Sequence, residues 1–152
     1  MIDAATRLEG VENLIVQKLY FIIHAARQSG KTTYLMDMTK RLNAAGKYYT
    51  VYCSLEGLQN ISDAESGIPL IVECLKQSFV ICNIPKNESF AENANFSNYT
   101  GVLSNELFKY CRILDKPFFK AFDYKWYSLF SIAYILQCFK RTVNGIIFSF
   151  GI

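Results

Sequence analysis

The chain has 152 residues, enough for one domain with a core of ordinary size; 51% are apolar and 19% charged. That balance, with 12 Phe and 10 Tyr, excludes a disordered chain, a collagen-like repeat and a Gly/Ser linker protein. Lys+Arg 16 against Asp+Glu 13 leaves a net charge of +3, too small an excess to argue for a nucleic acid or an anionic membrane as partner.

The N-terminal segment MIDAATRLEG carries early acids and no apolar core, so no signal peptide is expected. Leu19–Ile23 is a continuous apolar run and predicts a strand buried on both faces. The polar turn Arg27-Gln28-Ser29-Gly30 follows. From Lys31 to Ala45 the period changes: Leu35, Met38, Leu42 and Ala45 share one helical face, and Asp37, Lys40, Arg41 and Asn43 take the other. Gly46 stands where a helix-ending glycine belongs. Tyr48–Ser54, aromatic and β-branched, reads as a second strand. Strand, helix and strand on short links make a βαβ unit, which builds a parallel sheet. The expected fold is therefore α/β, with the strands at 19–24 and 48–54 running parallel without having to be neighbours.

Further on, Ser62-Asp63-Ala64-Glu65 has capping-box spacing, ahead of a helix carrying Ile68, Ile71, Val72, Leu75, Phe79 and Cys82. Pro69 sits deep for that start, so the helix either kinks there or begins near Ile68. Residues 83–98 hold five asparagines and few aliphatics, and read as a long exposed loop. Gly101–Leu114 is a third helix, Pro117–Asp123 a third strand, Trp126–Phe139 a fourth helix and Ile146–Phe150 a last short strand. The uncharged Trp126–Phe139 stretch has 14 residues. As a helix it spans about 21 Å, against roughly 30 Å of hydrocarbon, so burial rather than a membrane span is expected. Cys53, Cys74, Cys82, Cys111 and Cys138 are odd in number and form no C-x-x-C. They predict reduced thiols and a cytoplasmic location, not a disulfide scaffold or zinc site.

The chemistry is concentrated between Ala25 and Thr32, AARQSGKT, which nearly matches the P-loop G-x-x-x-x-G-K-[ST]. A triphosphate brings anionic oxygens against the backbone, so the turn must present N–H groups as a concave nest. Gly30 allows the backbone to approach, Lys31 reaches the β- and γ-phosphates, and Thr32 offers a hydroxyl to Mg²⁺. The helix opening at Lys31 turns its positive end to the same anion. Gln28, Ser29, Gly30, Lys31, Thr32 and Thr33 are the expected phosphate-binding residues, with ATP and Mg²⁺ as the ligands. The first glycine of the pattern is replaced by Ala25. His24, the only histidine, is read as structural.

His24–Thr33, HAARQSGKTT, resembles the H-A-P-R-Q-[ST]-G-K-T-T segment of bacterial AAA-like ATPases, stand-alone ATP-binding proteins of the AAA+/STAND type. The likeness continues through Leu42–Tyr48 and Val51–Gly57 and resumes at Ile113–Pro117, covering about residues 10–117. Ala26 replaces the family's usual proline. The resemblance implies a P-loop three-layer sandwich on a parallel sheet, with residues 1–123 as the ATPase-like core. It sets Asp123 at the Walker B position, where an aspartate holds Mg²⁺ through water. Tyr124 then stands where the family has its catalytic glutamate, and Lys120 falls inside a central strand. Glu56 is the second candidate acid, because carboxyl ends of parallel strands face the nucleotide in open α/β sheets.

The family's full core also has a sensor strand, a further strand and a helical lid with an arginine finger. Residues 124–152 are too few for these, so the expectation is a truncated or degenerate copy, for which a frameshift near Pro117 is one origin. Ile146–Phe150 would then be a remnant of the sensor strand. The function expected is ATP binding with weak or absent hydrolysis. The alternative is a non-catalytic regulatory module that keeps the fold and docks its apolar tail on a protein partner or a second copy. The chain holds no guanine-type Asn/Thr-Lys-x-Asp motif, which favours adenine. Basic residues pair only at Lys40-Arg41 and Lys140-Arg141, which indicates no nucleic-acid partner.

Overall fold

The computed structural model describes residues 10–17, 21–25, 29–58, 61, 63–97, 99, 101–125 and 146–151. Their elements are, in order, α1 (Val11–Val16), β1 (Phe21–Ala25), α2 (Lys31–Ala44), β2 (Tyr49–Ser54), a 3-10 turn (Glu56–Leu58) and α3 (Ala64–Ile81). A second 3-10 turn (Asn87–Ser89), α4 (Val102–Ile113), β3 (Phe118–Lys125) and β4 (Ile146–Gly151) follow. The strands form one sheet in the order β1-β4-β3-β2, and each neighbouring pair is parallel. The two strands of the βαβ unit, β1 and β2, thus run parallel with two strands between them.

Strand alternation assigns the faces. In β3, Phe119 and Ala121 pack with Ile23, with Val11 and Ile15 of α1, and with Tyr34, Leu35 and Met38 of α2. On the opposite face, Phe118 joins Val51 and Cys53 of β2, Ile68–Phe79 of α3, and Leu103, Leu107 and Tyr110 of α4. Helices therefore cover both faces of a parallel sheet. Arg41 ties α1 to α2 through Glu12 at 2.9 Å, a contact exposed to solvent.

β2 ends the described strand order. Its odd-numbered residues bond toward β3, as in Tyr49 N–H to Pro117 O and Leu55 N–H to Asp123 O. Thr50 faces the open edge, and the Asn43 side chain at the end of α2 meets both of its backbone groups. Asn43 Oδ1 accepts from Thr50 N–H at 2.7 Å, and Asn43 Nδ2 donates to Thr50 O at 2.8 Å.

Three expectations need correction. The helix α3 starts at Ala64 with Asp63 as its cap, whose Oδ1 accepts from Ser66 N–H at 2.7 Å. It starts within the expected capping segment and runs unbroken past Pro69, so the start near Ile68 does not hold; Ser62 lies outside the described residues. Pro69 gives up its own N–H bond and crowds the carbonyl four residues before it, a cost that the rest of an 18-residue helix outweighs. Second, residues 83–98 are not simply exposed. Ile84, Phe90 and Ala91 are buried, because Phe90 stacks edge-on to Phe79 with ring centroids 4.8 Å apart. Third, α1 lies ahead of the first strand expected from sequence, where no element was predicted. The expected helix at Trp126–Phe139 lies outside the described residues, as does Cys138. No helix among the described residues is long and apolar enough to cross a membrane.

Lys120 lies in mid-strand in β3 and is only 1% exposed. Alternation turns it away from α1 and α2, toward α4. Burial draws its pKa from 10.5 down to about 8, opposed slightly by the Cys111 thiol, and the Phe118 ring centroid is 5.2 Å from its Nζ. The cost of holding a charge there is fully present below about pH 8. It fades as pH rises toward 10.5, where the folded protein has shed a proton the unfolded chain still keeps. Lys120→Met is therefore expected to stabilise the protein by about 1–3 kcal/mol at pH 7. The difference from wild type in urea denaturation should shrink at alkaline pH. A destabilised variant at pH 7 would contradict this account.

Candidate functional site

The site lies where β2 and β3 end and α2 begins. Asp123 shares its strand parity with Phe119 and Ala121, so its carboxylate emerges on the face covered by α2. There Asp123 Oδ2 accepts from Thr32 Oγ1 at 2.6 Å, across 91 residues of sequence. The same oxygen accepts from Tyr52 Oη at 3.1 Å. Burial raises the half-buried Tyr52 phenol well above its usual range, and the Asp123 charge and hydrogen bond add to the rise. Tyr52 is thus a fixed donor across the physiological range.

Gly30 precedes α2 at φ 82°, in the left-handed region. A Cβ added there would meet nothing within 4 Å, so glycine is required by the backbone angle and not by crowding. Ala25 shows the complementary result. It is the last residue of β1, in extended pairing with Gly151, so the alanine in place of the first motif glycine carries no left-handed strain.

Gly30, the residue at the N-cap of α2, makes no side-chain cap bond of its own. The N–H groups of Lys31, Thr32 and Thr33 have no acceptor within the helix, while Tyr34 N–H bonds Gly30 O at 2.9 Å. Ser29 Oγ, next to this opening, is buried with no hydrogen-bond partner among the described residues. A buried hydroxyl without a partner among the described residues, beside a helix N-terminus, fits an incoming phosphate.

Of the residues expected from sequence, Ser29, Gly30, Lys31, Thr32 and Thr33 stand together at the head of α2. Gln28 lies outside the described residues. Thr32 and Asp123 are in direct contact. Glu56 is exposed in the turn after β2, one residue beyond Leu55, whose N–H donates to Asp123 O at 2.8 Å. Among the described residues no group of three or more His, Cys, Asp or Glu could hold a metal ion. Mg²⁺ needs no such group, since it keeps waters and is held by one or two protein oxygens together with substrate phosphates. The Thr32 hydroxyl and Asp123 carboxylate fit that donor set. Tyr52 is the site residue that sequence reasoning missed. Its contact depends on the register that pairs Tyr52 with Ala121 and Ser54 with Asp123, and no spacing within either strand reveals that register.

No family model, curated protein or solved structure matches this chain.

Proposed function

We propose that the chain binds ATP with Mg²⁺ as a P-loop domain of the AAA-like type its sequence resembles, with little or no hydrolysis. In this reading the N-terminus of α2 receives the phosphates. Lys31 neutralises the β- and γ-phosphates, Ser29 and Thr33 lie at the rim of the phosphate site, and Thr32 gives its hydroxyl oxygen to Mg²⁺. Asp123 orders water around the ion, which supplies charge neutralisation at the phosphates when bound. The observation that supports the reading most directly is the 2.6 Å contact between Thr32 and Asp123 at the carboxyl end of the parallel sheet. The place of β3, the strand of Asp123, between the other strands in the order β1-β4-β3-β2 agrees with it, since the Walker B strand of P-loop ATPases often lies so.

The test is calorimetry of Mg·ATP binding to wild type and Lys31→Ala. The substitution is expected to weaken binding about 10–100-fold, the equivalent of one hydrogen bond to a charged group, roughly 1.5–3 kcal/mol. The circular dichroism spectrum should not change, because Lys31 is only half-buried at the first position of α2. Equal affinity in the two proteins would remove the P-loop assignment.

A further inference from the structure

We propose that Tyr52 is a positioning residue that fixes the Asp123 carboxylate for the Mg²⁺ ion of Mg·ATP. The proposal rests on the nucleotide reading above and deepens it. Asp123 stands near the carboxyl end of β3, and one hydrogen bond to Thr32 would leave its carboxylate free to turn about that contact. The Tyr52 hydroxyl supplies a second fixed point on the same Oδ2, at 3.1 Å beside the 2.6 Å bond from Thr32. Two donors on one oxygen set the plane of the carboxylate. Oδ1 is then the acceptor left for a water of the cation.

Thr32 benefits from the same arrangement. Its hydroxyl has one proton, and that proton points at Asp123, so its lone pairs are turned elsewhere and are available to the ion. The phenol suits the task because its ring is anchored. Tyr52 is half-buried against the α1 and α2 side of the sheet, and β2 and β3 hold each other in register on either side of it. It would touch neither nucleotide nor ion, and would act only through Asp123.

The test separates this role from a structural one by comparing ATP affinity in Mg²⁺ with ATP affinity in EDTA. In Tyr52→Phe the ratio of the two is expected to fall about 10-fold, as for loss of an outer partner of a metal ligand. Affinity in EDTA should change by less than about two-fold, because phosphate contacts from α2 do not involve Tyr52. In an Asp123→Ala background, Tyr52→Phe should leave the ratio unchanged, since the residue it acts through is gone. Tyr52→Met gives the same comparison should the phenylalanine variant melt near the assay temperature. An unchanged ratio in a folded variant overturns the proposal, and so does an equal loss in Mg²⁺ and in EDTA. Failure of wild type to bind ATP under either condition would instead overturn the nucleotide reading, and this proposal with it.

Discussion

With Mg²⁺ and ATP, the purified protein is expected to release phosphate more slowly than about 10⁻¹ per second. Enzymes commonly turn over at roughly 1–10³ per second, with a median near 10. A positioned base or water-orienting group contributes about 10²–10⁴-fold of such a rate. The residue after Asp123 is Tyr124, in β3, and a phenol with an ordinary pKa of about 10 does not accept a proton at neutral pH. Removing the group alone therefore places turnover at or below the stated limit, while binding retains Lys31, Thr32 and Asp123. Glu56 is the acid that could reverse the expectation, from its place just beyond the end of β2. A phosphate-release assay decides it. Sustained turnover near 1 per second, lost in Glu56→Gln, would make Glu56 the base and the weak-hydrolysis reading wrong.

Phe79→Ala is expected to cost about 3–5 kcal/mol, a fall of 10² or more in the folding equilibrium constant. Phe79 is fully buried in α3 and is the ring on which three other segments converge. It stacks on Tyr110 of α4 at 4.9 Å and 8°, and meets Phe90 of the asparagine-rich segment at 4.8 Å and Phe118 of β3 at 5.3 Å, both edge-on. Its loss opens a cavity that no single neighbour can fill without leaving the others. Tyr110 and Phe90 are themselves held, Tyr110 by its hydroxyl bond to Pro85 O at 2.9 Å. Urea denaturation of wild type and variant would measure the loss. A cost below about 1 kcal/mol would mean that the cluster repacks freely, contrary to the close-packed interior assumed here.

The parallel βαβ unit was legible in the sequence because its signals are local. An apolar run, a glycine and a change of period are each complete within a few residues, and α2 begins at the lysine that the motif indicates. Asp63 and Phe90 were not legible for opposite reasons. At Asp63 two adjacent residues, Ser62 and Asp63, can each cap a helix, and the choice lies in backbone angles that composition does not encode. Phe90 sits among residues that favour turns, and its burial is decided by rings on α3 and α4 far away in sequence. Left-handed angles at Asn83, Lys86 and Ala91 fold that segment back so that Phe90 can reach them. For the site, the head of α2 could be read from the motif alone. The place of Asp123 relied on a family likeness, and Tyr52 needed the strand register.

The helix α2 is pinned at two points. Thr32 in its first turn holds the end of β3, and Asn43 in its last turn holds both backbone groups of Thr50 in β2. Eleven residues of helix separate the pins, about 16 Å at 1.5 Å per residue. A rod fastened at both ends does not swing about either one. A ligand that tugged Thr32 would load the far pin as well, so force applied at the Thr32 end would arrive at β2, the last strand of the described order. Mechanically the helix is a tie-bar, and the amide of Asn43 is the bolt at its remote end.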